Sequence, residues 1–258
     1  MKMTRSQSPA ALVAAGVILF LFQAACVHGA IVNSLRGWSE DEPGWSGALT
    51  GSFGASGGNS PQTTYEGSGR LQFRAEPHVF RLIASGKQTS AQGVETANAV
   101  LAHLRHNYLL SDRWATLSFL QYQRNPFQRL DSRLLLGLGA RWMAVKKKET
   151  RLYLGAAQMF EQDRIQDVEG FSKVQRLSSF VSFETKFSDD VGLDILVFYQ
   201  PRWSDFQDWR LFGEASLEIE LTGALSLFTG YVIQYNSVPP EGVKDTDWNT
   251  KTGFAVKF

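Results

Sequence analysis

Beyond its first thirty residues the chain carries three histidines, His78, His103 and His106, and one concentration of carboxylates, Glu214, Glu218 and Glu220, with Asp194 upstream. Histidine is the usual general base near neutral pH, and paired acids serve glycosidase or aspartic-protease chemistry. Neither set has the spacing such reactions need. His103 and His106 are three apart in a segment that reads as a strand, so they face opposite sides and cannot share a site. His78 follows Pro77 in a turn, and no His-x-Ser pair offers a base beside a nucleophile. The three glutamates sit at even positions and share one face of a strand. There they are expected to pair with basic residues, because a charge in a narrow interior needs a counter-charge or water. No His and carboxylate spacing fits a metal, and no phosphate loop occurs. The sequence therefore predicts no catalytic, metal or cofactor site, and no enzymatic activity.

The glutamates belong to a strict alternation. Over 209–221, Leu211, Ala215, Leu217, Ile219 and Leu221 oppose Arg210, Glu214, Ser216, Glu218 and Glu220. Over 191–203, Val191, Leu193, Ile195, Val197, Tyr199 and Trp203 oppose Asp194, Gln200 and Arg202. Leu134, Leu136, Leu138 and Trp142 likewise oppose Arg133, Gly137, Gly139 and Arg141. Twelve such strands are expected, at 44–55, 63–75, 79–89, 98–109, 114–125, 132–145, 150–162, 174–187, 191–203, 209–221, 225–236 and 247–258. The facing of the fourth, fifth and seventh is not set by the pattern. Their lengths suit tilted membrane strands of about 9–11 residues or slightly more. Connections alternate between short turns (76–78, 111–113, 146–149, 188–190, 222–224) and longer links (56–63, 90–97, 125–131, 163–173, 204–208, 237–246). An even strand number with short turns on one side and long loops on the other is the pattern of single-chain bacterial barrels. The expected fold is all-β, a transmembrane up-and-down antiparallel β-barrel of about 12 strands.

Aromatic residues fall into two groups. Trp45, Trp114, Trp142, Tyr153 and Phe187 lie near the short turns. Tyr65, Phe160, Tyr199, Trp203, Trp209, Tyr235 and Trp248 lie near the long links. Amphipathic rings form such girdles at both interfaces of a bilayer. Alternation alone also permits a soluble sandwich or lipocalin-like barrel with its apolar face inside; the girdles, the loop alternation and the two chain ends favour the membrane.

At the N-terminus, Lys2 and Arg5 precede an apolar run from Ala10 to Ala25 and then small residues, as in a cleaved secretory signal. Cleavage after Gly29 or Ala30 gives a signal peptide over 1–30, a polar periplasmic lead-in over 31–43 and a barrel over 44–258. An uncleaved anchor and a lipid on Cys26 are the alternatives, although Gln23 is a poor lipobox residue. Removal of the leader takes away the only cysteine and moves the formal charge from +1 to −1. A thiol-free chain suits an oxidising compartment, and the absence of basic excess speaks against nucleic acid.

At the C-terminus, Trp248, Thr250, Thr252, Phe254, Val256 and Phe258 share one face, while Asn249, Lys251, Gly253, Ala255 and Lys257 share the other. This resembles the recognition strand of bacterial outer-membrane barrels. The resemblance makes Phe254, Val256 and Phe258 an assembly signal and implies the barrel-assembly machinery and periplasmic chaperones as partners, beside outer-membrane lipid and lipopolysaccharide. In a closed barrel that strand is expected to pair with the first, near Trp45 to Phe53, in a monomer.

The segment Ser118-Phe119-Leu120-Gln121-Tyr122-Gln123-Arg124-Asn125-Pro126-Phe127-Gln128-Arg129-Leu130, followed by Arg133 to Trp142, is similar to the salt-stress-induced outer-membrane protein family, domain of unknown function 481. Gly44-Trp45-Ser46-Gly47 and Gly57-Gly58-Asn59-Ser60 resemble its first strand and glycine-asparagine loop. The resemblance implies a barrel, an outer-membrane address and no catalytic residues. Within such a barrel, Arg70, Arg74, Arg81, Arg141 and Lys257 stand on one side of the lumen and Glu184, Asp194, Glu214, Glu218 and Glu220 opposite. They either meet and block the lumen or stand apart across a thin pore. Twelve strands lie between the filled eight and the open sixteen, and so many long charged side chains favour a plugged or very narrow lumen. The expected role is envelope integrity under osmotic or salt stress, with at most passive permeation of small polar solutes. An open substrate-selective channel and an outer-membrane lipid-processing enzyme are the rivals.

Overall fold

The computed structural model describes residues 43–59, 61–222 and 225–256. The signal peptide, the lead-in up to 42, Lys257 and Phe258 lie outside the described residues, and Phe254 and Val256 are described as backbone only. The strands are β1 Gly44–Ser56, β2 Gln62–Ala75, β3 His78–Ala91, β4 Val94–Leu109, β5 Trp114–Asn125, β6 Leu130–Lys146, β7 Thr150–Ile165, β8 Ser172–Lys186, β9 Val191–Arg202, β10 Asp205–Thr222, β11 Leu225–Asn236 and β12 Thr246–Val256. They form one antiparallel sheet in sequence order. A 3-10 turn, Pro126–Gln128, interrupts the β5–β6 link. Among the described residues no register joins β12 to β1, so the expected pairing of the last strand with Trp45 to Phe53 is not seen there; Phe258 itself lies outside the described residues.

The strands twist and curl because one face is filled from within. Arg210 on β10 reaches Glu161 on β7, past two intervening strands, and Arg105 on β4 lies over the Phe180 ring on β8, 5.7 Å from its centroid. Gln128, between β5 and β6, donates to Asp247 on β12. Such chords exist only in a sheet rolled into a barrel. The outer face carries the apolar side chains: Leu49, Leu71, Leu82, Leu104, Leu120, Leu134, Leu136, Leu138, Val181 and Val197 are all exposed. A band of exposed leucine and valine is stable only against hydrocarbon, so the strands are transmembrane.

Glycine positions make the inner packing possible. Phe119 lies opposite Gly137, Phe180 opposite Gly155 and Phe228 opposite Gly253 in the register. A Cβ at Gly137 would stand 2.1 Å from the Phe119 ring, and one at Gly155 would stand 2.2 Å from the Phe180 ring. Each ring therefore lies flat over a neighbouring strand's glycine, an arrangement that also pins register and permits bending.

Strand ends differ from the sequence reading mainly on the long-link side. β4 starts at Val94, β7 runs to Ile165 and β10 starts at Asp205, so Asp163 and Asp208 are ladder residues and not loop residues. Aspartates read as turn residues, yet beyond the hydrocarbon a barrel ladder accepts polar side chains freely. Tyr153 is a second difference. It shares the inward phase of Gly155, Ala157 and Met159 on β7 and is buried beneath Arg141, 4.9 Å from the guanidinium carbon, instead of joining the outer girdle.

Candidate functional site

The lumen is stacked in three layers along the barrel axis. At the long-loop end Arg133 on β6 donates through Nε and Nη2 to Asp163 on β7, at 2.7 and 2.5 Å. Arg210 donates through both terminal nitrogens to Glu161, at 2.6 and 2.9 Å, with Nη2 also 3.7 Å from Asp163. Arg176 on β8 lies with Nε 3.5 Å from Glu161 and donates through Nη2 to Asp208 at 2.8 Å. Its Nη1 donates to the carbonyls of Gln200 and Asp208. Arg202 on β9 stands 3.6 Å from Asp208. The result is one continuous chain, Arg133, Asp163, Arg210, Glu161, Arg176, Asp208, Arg202, crossing five strands. Bidentate guanidinium–carboxylate pairs are the strongest and most directional ion pairs available to side chains, and here they are buried. Their value lies in fixing geometry, since desolvation offsets much of the attraction.

Beneath the ion pairs lies an apolar layer. Leu117, Ala157, Phe180, Leu196, Phe198 and Phe212 pack together with Tyr153, and Phe119, Met143 and Val232 lie against them. Met159 is wholly buried. The alternation singles out only charged residues for the lumen, and this apolar layer is an addition to them. Half of the alternation on β8 to β10 places Phe180, Phe198 and Phe212 inside, where each strand carries apolar residues on both faces.

The third layer, toward the short turns, carries charges of both signs. Arg81 donates through Nε to Gln72 at 2.9 Å and faces Arg105 directly across β3–β4. Arg105 donates to Asn107. Arg74 donates to Glu76 at 2.7 Å. Arg81 and Arg141 are buried, and Arg70 and Arg74 half-buried. Glu184, Asp194, Glu214, Glu218 and Glu220 are half-buried on β8 to β10. The register sets Arg151, Glu184 and Asp194 side by side on β7, β8 and β9. Lys257 lies outside the described residues.

The continuous chain of ion pairs thus comes from a different set than the ten lumen charges that the alternation singles out. Arg133, Arg202 and Arg210 were legible as inward residues, but Glu161, Asp163, Arg176 and Asp208 were not. Two of the four lie where strand ends were drawn too short, and Glu161 is on the strand whose facing the sequence leaves open. Inward phase on β7 was readable in principle from Gly155, whose missing side chain marks a ring packed from the next strand.

Histidines behave in two ways. His103 is buried inside, bonded through Nδ1 to Gln121 at 2.7 Å and stacked on Phe119. His106 lies on the outer face with its Nε2 3.0 Å from Nδ1 of His78, a pairing that linear spacing does not reveal. Among the described residues no group of three histidine, cysteine or acidic side chains is placed to hold a metal ion. The girdle tryptophans Trp45, Trp114, Trp142, Trp203 and Trp248 are exposed on the outer face. Trp114 stacks on Trp142, and half-buried Trp209 sits between Tyr199 and Tyr235.

Residues 51–258 match the model of a family described as "Protein of unknown function, DUF481". No curated protein sequence matches the chain. Among solved structures, the NanC porin is similar over 83% of this chain and 98% of its own, at 15% identity and a TM-score of 0.48. The KdgM porin in complex with disordered oligogalacturonate is similar over 77% and 96%, at 11% identity and 0.39. The translocator domain of autotransporter NalP from Neisseria meningitidis is similar over 85% and 90%, at 10% identity and 0.42.

Proposed function

The chain belongs to the DUF481 family, and from that premise we propose that it is an integral outer-membrane barrel of envelope integrity with a closed lumen. The observation that carries this reading is the chain of ion pairs from Arg133 to Arg202 lying over the phenylalanine layer. A solute on the axis would have to part buried bidentate pairs and then an apolar plug. Ions gain nothing in that layer to replace their hydration.

The stress-related role rests on the resemblance around Ser118 to Trp142. The signal peptide, cleaved after Gly29 or Ala30, belongs to the same reading, as does delivery by periplasmic chaperones and the barrel-assembly machinery through Phe254, Val256 and Phe258. Removal of Phe258 is expected to lower the heat-resistant, folded fraction in the outer membrane.

Planar-bilayer recording tests the closed lumen. The expected result is no conductance step above background for the purified barrel, and reproducible steps would replace this reading with that of a channel. The inferred role is tested by growth of a deletion strain in high salt and by its leakage of periplasmic protein; unchanged growth and retention would end it. A second reading, lipid processing, has one observation in its favour. His106 faces Ser118 across β4–β5 on the outer face, with His78 bonded behind it. Ser111, by contrast, caps the β4–β5 turn through its Oγ. Unchanged lipid composition on overproduction of the protein would dispose of that reading.

A further inference from the structure

We propose that His78 and His106 form a binding site for a divalent transition-metal ion of the zinc class on the outer wall of the barrel. His78 opens β3 beside a short turn and lies opposite Tyr108, while His106 on β4 lies opposite Phe80. The two histidines are therefore diagonal neighbours on one face of the β3–β4 ladder, within reach of each other. Nδ1 of His78 stands 3.0 Å from Nε2 of His106. The ring centres are 5.3 Å apart and the ring planes are inclined by 21°. The rings thus confront each other edge to edge, each presenting a nitrogen to the other.

That arrangement is close to what one ion needs. Two imidazole nitrogens on a tetrahedral zinc, each about 2.0–2.1 Å from it, stand about 3.3 Å apart. An ion enters if the pair opens slightly and both rings tilt toward it about their terminal torsions, which are soft for histidine. Phe80 packs on the His106 ring with 4.6 Å between centres, and Tyr108 meets His78 edge-on at 5.2 Å. These aromatic neighbours keep the two imidazoles together on the hairpin. Two imidazolium ions so close would repel. A hydrogen bond between the rings also needs a lone pair on one of them, so the pair holds at least one ring in the neutral form that ligates metal.

Position gives access and completes the coordination. His106 shares a row of the sheet with Trp45, through Phe80 and Phe73, and His78 lies nearer the turn. This is the level of the tryptophan girdle, where water and lipid head groups meet the wall. His78 is exposed there and His106 half-buried. Glu76, the carboxylate nearest to His78 in sequence, is engaged by Arg74 at 2.7 Å. Among the described residues no third histidine, cysteine or acid joins the pair. The remaining positions on the ion go to water or to a lipid phosphate oxygen, as in zinc sites that keep an open position. Imidazole suits zinc, nickel and copper, whereas magnesium and calcium take oxygen ligands. The site lies outside the lumen and stands whether the lumen is closed or open.

Calorimetric titration of the tag-free mature barrel in neutral detergent with zinc chloride tests the site. A single saturable ion is expected, unaffected by excess magnesium and weakened at least about tenfold in His78→Gln and in His106→Gln. Both positions lie on the outer face, away from the packed interior, so each variant is expected to keep its heat-resistant fold on unheated gels. Copper(II) in place of zinc gives an independent reading on the unaltered barrel: electron paramagnetic resonance at one equivalent should show two imidazole nitrogens on the ion. No saturable zinc binding up to about 1 mM, undiminished binding by the His78→Gln, His106→Gln double variant, displacement by magnesium, or a copper spectrum without two imidazole nitrogens overturns the proposal.

Discussion

Single residues decide whether the barrel interior packs. Gly137 and Gly155 leave no room for a side chain, because Phe119 and Phe180 already occupy it. Gly155→Val should therefore lower folding stability by about 1–3 kcal/mol, as overpacking does, and reduce the fraction that migrates as folded barrel on unheated gels. The matched pair Gly155→Val with Phe180→Ala should recover part of that loss, since the ring is what the valine meets. Glu161 is the second such residue. It takes both terminal nitrogens of Arg210, so Glu161→Ala leaves the buried Arg210 guanidinium with only the more distant Asp163, 3.7 Å away, while Arg176 keeps Asp208. A loss of about 3 kcal/mol or more is expected, read as a lower urea midpoint in lipid vesicles, whereas Arg164→Ala on the exposed rim should change it little.

At the level of elements, the long-loop ends are fastened to one another. Arg129 follows the 3-10 turn in a left-handed conformation, φ 56°. It donates to the Glu241 carbonyl and to Asp167, while Gln128 holds Asp247. The β5–β6 link thus binds both the β7–β8 and β11–β12 links above the ion pairs. Replacing 239–244 with a shorter glycine-serine connection should open the small cavity beside Arg133 and Arg210 and raise proteolytic cleavage in the β5–β6 link, while β1 to β4 stay protected. Most of this level was legible. Twelve strands, their order of connection and the outward faces at Leu134 to Trp142 and Leu211 to Leu221 follow from period-two alternation alone. What alternation cannot give is the end of a ladder in polar sequence, which is why Asp163 and Asp208 read as loop. Nor can it identify the inner face of a strand that is apolar on both sides, as at Phe180, Phe198 and Phe212. Pairings between adjacent strands, such as His78 on β3 with His106 on β4, depend on register, and register is set by the whole sheet.

For the molecule as a whole, closure is a property of layers and not of any one contact. Removing one ion pair leaves the phenylalanine layer beneath it, and thinning that layer leaves the ion pairs above. A single substitution at either level should therefore leave planar-bilayer recordings silent. Glu161→Ala combined with Phe212→Ala and Phe198→Ala should instead produce small conductance steps. Steps from Glu161→Ala alone would mean that the ion pairs by themselves hold the lumen shut.

The strictly sequential pairing of β1 to β12 also bears on how the barrel can change over evolutionary time. In such a meander a hairpin can be lost or duplicated without rewiring any other connection, so circumference is in principle free to vary. The inner layers restrict where this can happen. The ion pairs stitch β6 to β10, and the aromatic layer occupies β5 to β11, so a hairpin removed from that arc takes a member of both with it. The β1–β2 hairpin contributes to neither. Drift in strand number is thereby confined to the amino-terminal flank, and homologues of unequal length should differ there while keeping the arc from β5 to β11 intact.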